Sequence, residues 1–207
     1  MKKTVMTAMA VLVALVWFGM QSVQSAPVLD QSFDSTGGDQ SFAGRFSQTF
    51  TANMTGYLVG ISLLMDTAAT NNRPATISIL ATSGGVPIDT VLWTGNYLSL
   101  ADGWFDVNIT SGAPAIIAGT VYGIQIESTI SGLESDAWLT KTTGDFYTAG
   151  KMYYNPGSGW VSVPGYPNAD GGFKTYIDAV PEPATVSLMV LALALTIFVT
   201  FRTRRHA

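Results

Sequence analysis

Residues 26–179 predict an antiparallel β-sandwich, and three observations carry that expectation. Apolar and polar residues alternate with period two in several short runs, the mark of strands with one buried face. Clusters of Gly, Pro, Asn and Asp separate the runs at roughly 10-residue intervals, the spacing of all-β domains. The 3.6-residue apolar period of a surface helix is absent. A stretch of about 150 residues is long enough for one domain with a single core.

In chain order, the first strand is expected near 45–52. In the next, Tyr57, Val59, Ile61, Leu63 and Met65 share one face, while Leu58 and Leu64 make the other partly apolar. Asn71-Asn72-Arg73-Pro74 turns the chain into a strand where Ile77 and Ile79 alternate with Thr76 and Ser78. Ser83-Gly84-Gly85 leads to a strand near 88–98. Ala101-Asp102-Gly103 leads to one where Phe105, Val107 and Ile109 alternate with Asp106 and Asn108. Tyr122, Ile124 and Ile126 then alternate with Gly123 and Gln125. Strands near 136–142, 150–155, 160–163 and 173–178 complete the set, separated by Asn155-Pro156-Gly157-Ser158-Gly159 and by Asn168-Ala169-Asp170-Gly171-Gly172. The expected core is Ile61, Leu63, Ile77, Ile79, Val107, Ile124 and Ile126.

Composition removes several functions. The chain has 207 residues, 47% hydrophobic and only 12% charged, with mean hydropathy +0.30. Half of the ten basic residues are terminal: Lys2, Lys3, Arg202, Arg204 and Arg205. The middle keeps Arg45, Arg73, Lys141, Lys151 and Lys174 against 13 of the 14 acids, so its surface repels phosphate backbones and nucleic acid is not expected as a partner. Without cysteine there is no disulfide, thiolate nucleophile or cysteine-ligated metal. The only histidine is His206, beyond the middle stretch, which excludes a Ser–His–Asp triad there.

The two ends direct the chain. Lys2 and Lys3 precede an uncharged apolar run from Val5 to Met20, and small residues follow, as in a secretory signal peptide over 1–25. Signal peptidase is expected to cut after Ser25, with Val23 at −3, because Pro27 would block a cut after Ala26. An uncleaved anchor is the alternative. At the other end, Ala184 to Phe201 would span about 27 Å as a helix. Arg202, Arg204 and Arg205 then act as a stop-transfer cluster on the cytoplasmic side. A plain type I anchor would need no more than this.

Val180-Pro181-Glu182-Pro183, a short apolar helix and a terminal Arg cluster, in that order, resemble the PEP-CTERM sorting signal over 180–207. The resemblance implies recognition by an exosortase of a Gram-negative bacterium. That enzyme is expected to read Pro181, Glu182 and Pro183, process an inner-membrane intermediate and pass it to the cell surface or extracellular matrix. The two prolines fix φ and withhold donors, which keeps Glu182 extended and accessible. The middle stretch resembles jelly-roll domains of exported bacterial proteins. The likeness runs through Gln48-Thr49-Phe50-Thr51-Ala52, Pro87 to Leu92, Gly119 to Ile126 and Phe173 to Tyr176.

The expected function is an exported non-catalytic surface or matrix protein associated with exopolysaccharide or biofilm; the alternative is a carbohydrate-binding module. Sugar rings stack their C–H faces on exposed aromatic rings, and Trp138, Tyr153, Tyr154 and Trp160 are the candidate platforms. Phe146, Tyr147 and Tyr166 belong to the same aromatic-rich half, and all of these could instead fill the core. Trp93 and Trp104, inside strands, are expected in the core. No cofactor is expected beyond a structural calcium, whose candidate donors are Asp30, Asp34, Asp39 and Asp170 in loops. A glycan hydrolase would need a carboxylate pair. Glu127 and Glu134 are the only Glu of the middle stretch, and they lack a clustered acidic strand.

Overall fold

The alternation in the sequence resolves into two antiparallel sheets packed face to face. The computed structural model describes residues 26–36, 38, 40–42, 44–66, 74–128, 137–144 and 146–179. Among these residues there are fourteen strands and no helix, hence none long and apolar enough to cross a membrane. The signal peptide and the sorting signal lie outside the described residues.

The first sheet runs β1 (Val28–Phe33), β14 (Phe173–Ala179), β4 (Gly56–Asp66), β10 (Ala137–Lys141), β13 (Asp170–Gly171). Off this path, β2 (Gln40–Phe42) pairs with β10, and both β7 (Gly103–Asn108) and β8 (Ala115–Ile116) pair with β4. The second sheet has six strands, in the order β12 (Val161–Ser162), β11 (Met152–Tyr154), β3 (Phe46–Thr51), β9 (Val121–Ser128), β5 (Ala75–Ser83), β6 (Val86–Tyr97). Among the described residues the first sheet has eight strands.

The core lies between the inner faces. Ile61, Leu63, Met65, Val107, Phe173 and Ile177 from the first sheet meet Phe46, Phe50, Ile77, Ile79, Ile124 and Ile126 from the second in one cluster. All seven positions expected inside are exposed by 1% or less. Each such side chain contributes about 1.5–3 kcal/mol of burial. Phe50 bridges the layers, 6.1 Å from Phe173 of the other sheet; within its own sheet it lies 5.9 Å from Tyr122, and Tyr147 meets Phe173 edge-on at 5.0 Å.

One expected face is wrong over its first turn of pleat. Tyr57 is exposed, Val59 is only half-buried and Leu58 is fully buried. The cause is a bulge. Tyr176 pairs with Gly60 but Ile177 pairs with Leu58, so Val59 is an extra residue and the inward parity reverses below it. A second bulge, between Leu29 and Gln31, lies on the other side of β14. Four strands had no sequence signal: β1, β2, β8 and β13. The last three are two or three residues long.

The outer faces follow from the same register. On the first sheet Lys174, Ser62 and Asp106 form one cross-strand row, and Tyr176, Gly60 and Asn108 the next. On the second, Tyr153, Ser47, Gln125, Ser78 and Thr94 form a row five strands wide. Trp93 packs against the core as expected. Trp104 does not: its partner Leu64 points outward, and Lys174 Nζ lies 3.8 Å above its ring.

Candidate functional site

The outer face of the six-stranded sheet carries a cluster built around Arg45. This residue immediately precedes β3, and its guanidinium reaches across to strands β9 and β6. Nη2 donates to Asp89 Oδ1 at 2.8 Å and to Gln125 Oε1 at 3.5 Å. Nε lies 3.3 Å from Glu127 Oε2 as an ion pair, without hydrogen-bond geometry. Gln125 Nε2 closes the ring by donating to Glu127 Oε2 at 2.9 Å. Gln125 and Glu127 are two residues apart on β9 and therefore share a face.

Trp160 covers the guanidinium, with its ring centroid 5.1 Å from Arg45 Cζ, and its indole N–H donates to Asp89 Oδ1 at 3.3 Å. The preceding turn explains its position. Asn155 is buried, and its Oδ1 accepts from the N–H of Gly157 at 2.8 Å and of Gly159 at 3.4 Å. Its own N–H donates to the Arg45 carbonyl at 3.0 Å, so the turn is tied to the residue it covers. Gly157 and Gly159 have φ of 99° and 124°, the left-handed region that glycine supplies without strain.

Asp89 arrives by a different device. The β5–β6 pairing runs from Ile79↔Trp93 to Thr82↔Pro87, so β6 carries three more residues than its partner over that span. The surplus lifts residues 88–90 over the face of the sheet. The side chains of Asp89 and Glu127 remain 67% and 42% exposed, against 28% for Arg45. Farther along the face, Lys151 Nζ lies 5.2 Å above the Tyr153 ring, and an open groove of about 360 Å³ continues past Thr49 and Asn168. Burial pushes the Tyr153 phenol above its ordinary range.

The four expected platforms separate cleanly. Trp138 is wholly buried, its indole N–H donating to Gly172 O at 2.8 Å, and is a core residue rather than a platform. Close approach of Gly171 makes this possible, since a Cβ there would lie 2.8 Å from Trp138 Cε2. Tyr154 turns inward and packs on Phe46 at 5.0 Å. Tyr153 faces outward but is 6% exposed. Trp160, like Tyr154, is half-buried, but its ring lies on the outer face over Arg45.

The calcium donors do not converge. Asp30 is in strand β1 at the bulge, not in a loop; its Oδ1 accepts from Asn53 N at 3.0 Å and Met54 N at 2.8 Å. Asp170 is in β13, not in a loop, and accepts from Gln48 Nε2 at 3.3 Å and Tyr147 N at 3.0 Å. Asp34 is exposed; hydrogen bonds from the Thr36 hydroxyl and from Thr36 N, the latter at 2.7 Å, hold its carboxyl below the usual range. Asp39 lies outside the described residues, as do Glu134, Pro181, Glu182, Pro183, Arg202, Arg204 and Arg205. Among the described residues no group of three or more His, Cys, Asp or Glu side chains stands together.

Arg45 and Asp89 carried no sequence signal of function. Glu127 was visible only as half of a carboxylate pair, although its period-two relation to Gln125 marks a shared face. Chemically, the cluster offers a flat ring beside two partly exposed carboxylates, a set that stacks C–H faces and accepts hydroxyl hydrogens.

No family model matches the sequence, and no curated protein is similar to it. Among solved structures, the chain is similar to the crystal structure of the cysteine protease and lectin-like domains of Cwp84, a surface layer associated protein of Clostridium difficile. The TM-score is 0.48 at 12% identity, covering 67% of this chain. The match spans 32% of that chain's length.

Proposed function

We propose that this chain is an exported, non-catalytic surface or extracellular-matrix protein whose jelly-roll sandwich holds exopolysaccharide on the outer face of the six-stranded sheet. The observation that carries the binding reading is the Arg45–Trp160 cluster. Trp160 supplies a ring held at fixed height by a glycine turn, and Asp89 and Glu127 supply acceptors at its edge. A preorganised ring loses little freedom on binding.

Catalysis has no support in the same cluster. A glycosidase pair needs the glycosidic oxygen or a water between its carboxylates. Here the Arg45 guanidinium occupies that place between Asp89 and Glu127. Delivery rests on the sequence alone. Signal peptidase removes 1–25, an exosortase reads Pro181, Glu182 and Pro183, and Arg202, Arg204 and Arg205 hold the intermediate in the inner membrane.

Native gels cast with exopolysaccharide purified from the producing bacterium test the binding reading. The exported protein should be retarded, and Trp160→Ala should weaken retention by about tenfold, as expected for losing one stacked ring. Equal retardation of both proteins would remove the six-stranded face as the site.

A further inference from the structure

We propose that the outer face of the eight-stranded sheet is a second glycan groove, which makes the sandwich a cross-linker of polysaccharide chains. The inference deepens the glycan reading above and rests on it for the ligand class, but it stands on a different set of residues. The two bulges that flank β14 shape this face. Because Val59 is the extra residue, Gly60 becomes the outward position between Tyr176 and Asn108, and its missing side chain leaves a floor. The resulting groove encloses about 260 Å³ and is open to solvent along its length.

Its walls carry the chemistry a pyranose chain needs. The half-buried Tyr176 ring stands on one side of the glycine floor. On the other side are Asn108, which can donate and accept, and Asp106, whose Oδ1 is oriented by the hydroxyl of the buried Ser62. Two strands across and four residues along, roughly 16 Å away by standard strand spacings, the Lys174 ammonium rests 3.8 Å above the Trp104 ring. This contact holds the ammonium in place, and the N–H groups that do not face the ring are free to meet hydroxyls. An open groove with one ring in its wall, and a second ring farther along the same face, suits a polymer better than a single small molecule, which would need an enclosed pocket.

The consequence is mechanical as well as chemical. The two faces belong to opposite sides of one core, so a single polymer chain cannot lie straight across both. Two chains can, and a protein with a site on each side joins them.

The test compares the exported protein with Trp160→Ala, Tyr176→Ala and the double variant, using the same purified exopolysaccharide. Retention in the gel measures binding, and turbidity of the mixed solution measures cross-linking. Gly60→Ala serves as a second probe of the groove. Its new methyl would sit 3.5 Å from Tyr176 Cδ2, an ordinary contact, so the fold is kept while the floor is raised. Wild type should bind and turn turbid. Trp160→Ala, Tyr176→Ala and Gly60→Ala should each still bind without turbidity, with retention about tenfold lower, and the double variant should not bind. Turbidity from Gly60→Ala and Tyr176→Ala equal to wild type would overturn the second groove. So would complete loss of binding in Trp160→Ala alone, an outcome that leaves the six-stranded site standing. Absence of any binding by wild type would remove both faces together.

Discussion

Gly150→Ala sets two effects of opposite sign against each other, and the geometry decides between them. Replacing glycine by alanine in a compatible conformation stabilises a fold by about 0.4–1 kcal/mol, through the unfolded chain. At Gly150 a Cβ would collide with the carbonyl oxygen and carbon of Thr49 and approach Phe50 N to 3.1 Å. These are backbone atoms of β3, an interior strand paired with both β9 and β11, so they cannot move aside cheaply. The segment 149–151 must lift instead. That strains Thr49 N to Lys151 O at 2.9 Å, Lys151 N to Thr49 Oγ1 at 3.0 Å and Thr51 Oγ1 to Ala149 O at 2.8 Å. Three hydrogen bonds at about 0.5–1.5 kcal/mol each come to about 1.5–4.5 kcal/mol. After the entropic gain, a net loss of about 0.5–4 kcal/mol remains. For a domain near 150 residues this lowers Tm by roughly 1–16 °C. Thermal melting of the exported protein, followed by far-UV circular dichroism, reads the change directly. A variant that melts at or above wild type would show that the β3–β11 approach is looser than described, and the argument would fail.

Asp30 gives a pH signature. Burial pushes its carboxyl above the ordinary value of 3.8, opposed by the N–H groups of Met54 and Asn53. A raised folded-state pKa means the folded state binds more protons, so stability should fall as pH rises from 3.8 through the folded value. Asp30→Asn keeps the acceptor oxygen and removes the charge. It should flatten that slope in urea titrations between pH 3 and 7, and an unchanged slope would exonerate Asp30. For the sorting signal, changing Pro181, Glu182 and Pro183 to Ala should leave membrane insertion intact and accumulate uncleaved protein in the inner membrane. Processing and delivery like wild type, seen by cell fractionation, would reduce 180–207 to a plain anchor.

What the sequence discloses here depends on whether one strand settles the question. Ile77, Ile79, Val107, Ile124 and Ile126 each sit in a run whose own alternation names the buried face, and all are buried. Tyr57 and Leu58 break that logic because the extra residue at Val59 is set by pairing with β14, more than a hundred residues away. The aromatic residues pose the same problem more sharply. Trp138 and Trp160 are chemically identical, and composition cannot tell which is covered. Their neighbourhoods can. Trp138 lies inside a strand with a partner on each side, β4 and β2, so its face is committed to the core. Trp160 follows a turn with two left-handed glycines, a segment unable to pair, and its ring has only Arg45 and Asp89 to lie on. The Arg45 cluster itself was illegible for a reason of the same kind. Gln125 and Glu127 share a face by period two, but Asp89 joins them only through three surplus residues in β6, a surplus defined by β5 and invisible within β6. Bulges thus hide both the outer cluster and the glycine floor beside Tyr176. In each case an insertion that leaves the strand pattern intact re-aims the side chains.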